Sequence, residues 1–290
     1  MRIAGVDIGG TSIKIGIFED DALIEKTSIT TPFSDPDGVC DAIAKYLNQK
    51  RICLLGVGTA GSVDILHETV SASNLGWEGV PLRKMLSSRL GVPVWIDNDA
   101  QTAAIAECHD GVCKDARCAL YLTLGTGIGG AMIVEGKPFR GPNNMGAEFG
   151  HMIIHPDGER CSCGRRGCLE YYASATGLKR MAGGKSAYDV IQGAKRGDIV
   201  CRGLFEQYVR ELSIGLNNLI MIFDPEVIAL GGGISGAGEF LADACQKELE
   251  RLFGETTDPL YCRLRIAKHQ NDAGMLGAAL LARDMLQEYA

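Results

Sequence analysis

Residues 3–18, IAGVDIGGTSIKIGIF, hold two apolar stretches that alternate with a period of two on either side of Gly9-Gly10-Thr11. This period is typical of β-strands, and adjacent glycines permit a tight reversal of the chain. The stretch therefore predicts a β-hairpin with a glycine turn at its tip.

Residues 119–134, ALYLTLGTGIGGAMIV, repeat this design with Gly125-Thr126-Gly127 at the turn. A supersecondary unit that recurs in one chain indicates a duplicated architecture, here of the α/β class. We expect a smaller domain over residues 1–110, completed by a C-terminal helix over 273–290, and a larger domain over 111–272. No low-complexity linker separates the halves, so this boundary rests on the repeat alone.

Hydrophobic periodicity and alanine content predict the elements around the two hairpins. The predicted helices cover residues 37–50, 81–90, 100–108, 187–195 and 201–222. The predicted strands cover residues 52–58, 93–96 and 227–230.

The two glycine turns are candidate phosphate-binding loops. Glycines lack β-carbons, so several backbone N–H groups in each turn can approach one anion. Either turn alone favours an ordinary tight hairpin, whereas the pair favours a polyphosphate ligand. A dinucleotide-binding fingerprint is excluded because a strand follows the first turn where that motif requires a helix, and no Walker A lysine closes either turn.

Two charged residues flank the first turn, and a third glycine-rich turn lies later in the chain. Asp7 ends the first strand and is placed to hold Mg2+ beside phosphates, directly or through water. Lys14 either contacts a phosphate or lies on a solvated face. Gly231-Gly232-Gly233 follows the strand 227–230, and it either lets an adenine ring lie against the backbone or only connects a strand to a helix.

Asp97-Asn98-Asp99 stands between the predicted strand 93–96 and the predicted helix 100–108. Phosphoryl transfer to an alcohol needs a carboxylate within reach of the attacking hydroxyl, and strand ends commonly display such groups. Asp99 is therefore a candidate general base. Capping of the following helix by Asp97 or Asp99 explains these residues equally well.

Cys161, Cys163 and Cys168 form a Cys-x-Cys-x4-Cys pattern in a glycine-rich, charged segment, with His151 upstream. Three thiolates and one imidazole are the ligand set of a closed tetrahedral zinc site, whereas buried free cysteines or disulfides do not require this spacing. The pattern predicts a structural zinc knuckle.

Two glutamates flank the knuckle: Glu148 lies three residues before His151, and Glu170 lies two residues after Cys168. A metal that clamps this segment would fix both carboxylates in space. Preorganised carboxylates suit a polyhydroxylated ligand.

The composition excludes several classes of partner. The chain has 290 residues, of which 46% are hydrophobic, enough for one large or two moderate domains. A net charge of −7 and no basic run longer than Arg165-Arg166 argue against nucleic acid and anionic membranes, so we expect a small-molecule ligand. The first residues lack a signal-peptide pattern and no segment approaches a membrane span, so we expect reduced cysteines and a cytoplasmic location.

Taken together, the motifs resemble the ROK family of sugar kinases (repressor, open reading frame, kinase) in the actin and hexokinase superfamily. The resemblance covers essentially the whole chain and is carried by Asp7-Ile8-Gly9-Gly10-Thr11, Asn74-Leu75-Gly76-Trp77, Asn98-Asp99-Ala100, Gly125-Thr126-Gly127-Ile128-Gly129, Gly146 to His151 and Gly167-Cys168-Leu169-Glu170. It implies a two-domain, actin-like ATPase fold, that is, a duplicated ribonuclease H-like fold with an interdomain cleft.

The resemblance also implies the cofactors and the roles of individual residues. It implies ATP with Mg2+, structural Zn2+ on His151 and the three cysteines, Asp99 as general base, and a homodimer. The residues implied to bind the sugar are Asn74, Asn98, Asp99, Glu148, His151 and Glu170. The candidate residues for binding the nucleotide and its metal, taken from the three glycine turns and their flanking charges, are Asp7, Gly9, Gly10, Thr11, Lys14, Gly125, Thr126, Gly127, Gly231, Gly232 and Gly233.

Two positions depart from the family pattern. Thr59-Ala60-Gly61 stands where many members have a Pro-Gly pair, which indicates a different wall of the sugar pocket. Ala147 stands where glycine often precedes the glutamate. The run from Gly146 to His151 resembles that of Gram-positive glucokinases and favours glucose.

The leading hypothesis is ATP-dependent phosphorylation of glucose at its 6-hydroxyl. The alternative within the same chemistry is a kinase of N-acetylmannosamine or N-acetylglucosamine. A sugar-sensing repressor is disfavoured because the first glycine turn at residue 9 leaves no room for a preceding helix-turn-helix, and the acidic chain offers no footprint for DNA.

Overall fold

The structure is a computed structural model, and it describes residues 1–64, 67–142, 146–254 and 260–288. Its strands are β1 (Arg2–Ile8), β2 (Ser12–Glu19), β3 (Ala22–Thr30), β4 (Leu54–Thr59), β5 (Ser62–Asp64), β6 (Thr69–Ala72), β7 (Trp77–Val80), β8 (Val94–Asn98), β9 (Cys118–Leu124), β10 (Ile128–Val134), β11 (Lys137–Pro138), β12 (Val227–Gly231) and β13 (Arg263–Ile266). Its α-helices are α1 (Pro36–Leu47), α2 (Leu82–Leu90), α3 (Asp99–Asp110), α4 (Leu169–Ala173), α5 (Ala175–Met181), α6 (Ala187–Lys195), α7 (Ile199–Phe223), α8 (Glu239–Phe253) and α9 (Ala273–Glu288). Within these ranges no helix combines the length and apolarity that crossing a bilayer requires.

The chain divides into two compact units. The first comprises Met1–His109, Arg140–Gly146 and Asn271–Ala290, and the second comprises Asp110–Phe139 and Ala147–Gln270. Arg140–Gly146 therefore belongs to the first unit, although its position in the sequence places it in the predicted larger domain.

The first unit is built on a five-stranded sheet in the order β3-β2-β1-β4-β8. β1 and β2 form the predicted antiparallel hairpin, with Val6 opposite Ile15, whereas β1, β4 and β8 run parallel. Ile15 and Val57 are fully buried in its core, as expected for strands that are covered on both faces. A small antiparallel sheet of β5, β6 and β7 is added to this unit.

The second unit is built on a five-stranded sheet in the order β11-β10-β9-β12-β13. β9 pairs antiparallel with β10, and β9, β12 and β13 run parallel. The long helix α7 buries Leu212 and Leu216 in a core shared with Leu122 of β9. The two sheets have corresponding strand orders, which agrees with the duplication indicated by the repeated hairpin.

Several elements were not predicted from the sequence, namely β3, β5, β6, β7, β11, β13, α4, α5 and α8. Most of these strands have only two to four residues, too few for a detectable alternation. α8 does carry a signal, because Leu241, Cys245 and Leu249 are buried at intervals of four residues. That spacing is typical of an amphipathic helix.

Two glycines allow α9 to pack directly against the sheet of the first unit. Gly5 and Gly56 are partners in the parallel pairing of β1 with β4. A β-carbon on Gly5 would overlap the carbonyl oxygen of Met275, and one on Gly56 would overlap that of Ala278. The absence of side chains at this pair therefore sets the distance between helix and sheet.

We predict that Gly56→Ala destabilises the protein, because the helix backbone of α9 must shift to admit the new methyl group. Overpacking of this kind costs about 1–3 kcal/mol, which lowers the melting temperature of a chain of this size by several degrees. The matched control is Gly203→Ala in α7, where a β-carbon meets open space and raises helix propensity. Thermal unfolding followed by circular dichroism measures both variants, and equal melting temperatures for Gly56→Ala and wild type would contradict this packing.

Candidate active site

Three segments of the first unit emerge at the same edge of its sheet. The parallel register places Ile8 of β1 beside Thr59 of β4, and Thr59 beside Asn98 of β8. The carboxyl ends of parallel strands are where α/β sheets bind ligands. The first glycine turn, the segment 60–61 and Asp99 therefore begin next to one another.

The first glycine turn is held by its neighbours and lies beside Asn74. The N–H of Gly9 donates to the carbonyl of Ser12 at 3.0 Å, and the Thr31 hydroxyl donates to the carbonyl of Gly9 at 2.7 Å. A β-carbon on Gly10 would lie 3.5 Å from the Asn74 carbonyl oxygen. Asn74, an exposed residue, is thus brought next to the turn.

Asp7 and Lys14 form a pair just before and after this turn. Lys14 Nζ lies 3.7 Å from Asp7 Oδ2 and donates a hydrogen bond of 2.8 Å to the carbonyl of Asn271. Burial raises the pKa of the Asp7 carboxyl, and the Lys14 charge opposes that rise. Lys14 is therefore a partner of Asp7 and of the chain ahead of α9, and the Asp7 carboxylate offers the hard oxygen ligands that suit Mg2+.

The structure separates the roles of Asp97, Asn98 and Asp99. Asn98 Oδ1 accepts hydrogen bonds from the N–H groups of Ala100 at 2.8 Å and Gln101 at 3.4 Å, so Asn98 caps α3. Asp99 is the first residue of α3, half-buried, and its Oδ1 accepts from the N–H of Ala100 at 2.8 Å. Asn98, which lies between the two aspartates, is therefore the main capping residue of α3.

Asp97 is buried and forms an ion pair with Arg140. Arg140 Nε donates to Asp97 Oδ2 at 2.9 Å, while Asp97 Oδ1 accepts from the N–H of Asn98. The pair anchors the start of Arg140–Gly146 within the first unit, two residues from Asp99. Arg140 was missed from the sequence because no local pattern links it to Asp97, which lies 43 residues away.

The second and third glycine turns meet at the carboxyl edge of the second unit's sheet. Gly231 of β12 lies in register with Thr123 of β9. Gly232 has a φ of 80°, and a β-carbon there would crowd the backbone of Leu124, the residue before the second turn. A β-carbon on Gly233 would meet nothing, so this glycine borders open space.

His151, Cys161, Cys163 and Cys168 come together as the zinc prediction requires. Their potential ligand atoms all lie within 4.8 Å of one another. Cys161 Sγ is 3.9 Å from His151 Nδ1, and Cys163 Sγ is 3.6 Å from Cys168 Sγ, with all cysteines free of disulfides. Ligands around a tetrahedral zinc ion with Zn–S bonds of about 2.3 Å lie about 3.8 Å apart, so this set fits zinc.

One thiol of the cluster has a pKa above its ordinary value. Burial, with hydrogen bonding to Cys163 and Cys161, raises the pKa of Cys168 to about 12. Zinc binds the thiolate and therefore has to displace this proton.

The remaining sugar-site candidates surround this cluster. His151 turns Nδ1 toward Cys161, which leaves its Nε2 for another partner. Glu170 is half-buried; its Oε2 accepts a hydrogen bond of 2.9 Å from the N–H of Ile128, and its Oε1 accepts one of 3.5 Å from the Ser162 hydroxyl. Glu148 is exposed and precedes the short 3₁₀ turn Phe149–His151. The four candidate zinc ligands and Glu170 therefore lie beside the second glycine turn.

The chain is similar to known proteins along almost its whole length. The chain matches the ROK family over residues 3–285. A glucokinase of Streptomyces coelicolor is 36% identical over 97% of both chains, and an N-acetyl-D-glucosamine kinase of Escherichia coli is 32% identical over 96% of this chain and 98% of the relative. The structure of a ROK family glucokinase from Streptomyces griseus in complex with glucose and AMPPNP superimposes with a TM-score of 0.87 at 33% identity, over 98% of this chain and 100% of that one.

The structural likeness confirms the predicted fold class, a duplicated α/β fold of the actin-like ATPase type. The family match spans nearly the whole chain and confirms the resemblance carried by the motifs. This chain belongs to the ROK family.

Proposed function

We propose that this protein is an ATP-dependent hexokinase that transfers the γ-phosphoryl group of ATP to the 6-hydroxyl of glucose. The observation that carries the proposal is the arrangement at the edge of the first unit's sheet, where a glycine turn follows β1 and Asp99 follows β8, two parallel strands that both pair with β4. The similar glucokinases from two Streptomyces species support both the reaction and the sugar.

Asp99 acts as the general base in this proposal. Its carboxylate takes the proton of the sugar hydroxyl while the hydroxyl oxygen forms a bond to the γ-phosphorus. The bond from that phosphorus to the bridging oxygen breaks, and ADP leaves with the electron pair. The side chain of Asn98 is fixed by its cap on α3 and by donation from Nδ2 to the carbonyl of Gly61 at 2.8 Å, so its position for a sugar contact is preorganised.

The nucleotide is bound by the glycine turns. In this proposal each of the turns Gly9-Gly10-Thr11 and Gly125-Thr126-Gly127 binds phosphate through those of its backbone N–H groups that are not donated to a carbonyl of the chain. Gly231, Gly232 and Gly233 border the adenine ring. Asp7 is the residue that would hold Mg2+, which neutralises phosphate charge when it is bound.

The sugar hydroxyls are bound by Asn74, Asn98, Glu148, His151 and Glu170. Zinc on His151 and the three cysteines would crosslink the knuckle and so fix His151 and Glu170. Lys14 is assigned to the orientation of Asp7 beside the phosphates. The homodimer and the cytoplasmic location expected from the sequence stay predictions.

The alternative function is phosphorylation of N-acetylglucosamine or N-acetylmannosamine. It is favoured by the similarity to an N-acetyl-D-glucosamine kinase along almost the whole chain. A sugar-sensing regulator without kinase activity is a third function, which the sequence disfavours.

A sugar panel distinguishes these functions. We predict that ADP release with ATP and Mg2+ is fastest with glucose, compared with mannose, fructose, allose and the two N-acetyl sugars. Higher kcat/KM for an N-acetyl sugar would favour the alternative. Sugar binding without ADP release from any sugar would favour the regulator and contradict the kinase.

We predict that Asp99→Asn lowers kcat by at least about 100-fold, because general base catalysis is lost. Glucose affinity, measured by calorimetry, stays within a few-fold because other groups bind the hydroxyls. Loss of the charge at the start of α3 costs under about 1 kcal/mol of stability, so the variant remains folded. Turnover of the variant near the wild-type rate would contradict the assignment of Asp99 as the base.

We predict that the purified protein contains one zinc ion per chain and that Cys163→Ser loses it and binds glucose more weakly. The matched control is Cys53→Ser, an exposed cysteine outside the cluster, which keeps both properties. Elemental analysis and calorimetry measure the two effects. A wild-type protein without zinc would disprove the knuckle as a zinc site.

A further inference from the structure

The segment that follows the zinc knuckle holds the second glycine turn through two hydrogen bonds. The N–H of Ala175 donates to the carbonyl of Gly125 at 2.8 Å, and the hydroxyl of Thr176 donates to the carbonyl of Thr126 at 2.7 Å. Both donors lie at the start of α5, and neither was found from the sequence. The two carbonyls of the turn are therefore held toward α5.

These bonds determine where the turn's amides point. In a planar trans peptide the carbonyl and the N–H of the following residue point in opposite directions, and the described residues contain no cis peptide. Holding the carbonyls of Gly125 and Thr126 toward α5 thus directs the N–H groups of Thr126 and Gly127 away from it. Adjacent N–H groups that face one side of a turn form an anion-binding concavity.

The other amides of the turn already have partners. Gly125 N–H donates to the carbonyl of Gly127 at 3.0 Å, and Ile128 N–H donates to the Glu170 carboxylate. Among the hydrogen bonds of the described chain, none has the N–H of Thr126 or of Gly127 as its donor. A ligand of this turn therefore has these two amides to bind.

We propose that Thr176 is a positioning residue for the nucleotide: its hydroxyl orients the Thr126–Gly127 peptide so that the Gly127 N–H faces a phosphate oxygen. The inference rests on the proposed function, because it takes the ligand of this turn to be the phosphate chain of ATP. Thr176 is exposed on the first turn of α5, so loss of its hydroxyl alters the turn without opening the core.

Thr176→Val removes the hydroxyl at nearly constant volume, and Thr176→Ser keeps it. Calorimetry with MgADP in the absence of sugar measures nucleotide affinity directly, without turnover. The expected result is a Kd for ADP about threefold to tenfold higher in Thr176→Val, the effect of one lost hydrogen bond, and an unchanged Kd in Thr176→Ser. The KM for ATP rises in parallel, while the KM for glucose and the melting temperature stay at wild-type values.

Equal ADP affinity of Thr176→Val and wild type would overturn the role of Thr176. Equal weakening in both variants would overturn it as well, because the hydroxyl would not be the cause. A wild-type protein that does not bind ADP would overturn the proposed function together with this inference, whereas ADP binding in all three proteins with equal Kd removes only Thr176.

Discussion

Parallel pairing of strands is the constraint on which the site depends. In the first unit it aligns the ends of β1, β4 and β8, so that three segments far apart in the sequence leave the sheet at the same edge. In the second unit it aligns β9 with β12 and brings two glycine turns together. Both sheets have the same strand order, so the same strand arrangement displays Asp99 and the first glycine turn in one unit and the second and third glycine turns in the other.

The loops at these strand ends are fixed by a few buried or strained contacts. The ion pair between buried Asp97 and partly exposed Arg140 holds the chain next to Asp99, and removal of Arg140 would leave the buried Asp97 charge without its partner. Ala147 has a φ of 65°, in the left-handed region that costs an alanine roughly 1–2 kcal/mol. Glycine would adopt this φ without the same cost, which agrees with the expectation from the sequence that this position suits glycine.

Local patterns were sufficient to predict the hairpins, the glycine turns and the cluster of one histidine with three cysteines. The two hairpins show strand alternation around glycines, and His151 lies within seventeen residues of all three cysteines. The contacts that orient these groups could not be predicted, because they join distant segments: Lys14 with Asn271, Asp97 with Arg140, and Thr126 with Thr176. Asp99 is an intermediate case: the sequence allowed it to be a base or a helix cap, the structure shows that Asn98 accepts the capping hydrogen bonds of α3, and the role of base stays a prediction.

The proposed reaction depends above all on Asp99 as the base for a hexose hydroxyl. A crystal structure of the protein with glucose and a non-hydrolysable ATP analogue would place the two groups relative to each other. We expect the Asp99 carboxylate within about 3 Å of the 6-hydroxyl oxygen, with that oxygen facing the γ-phosphate. A bound glucose whose hydroxyls all lie beyond hydrogen-bonding distance of Asp99 would contradict it.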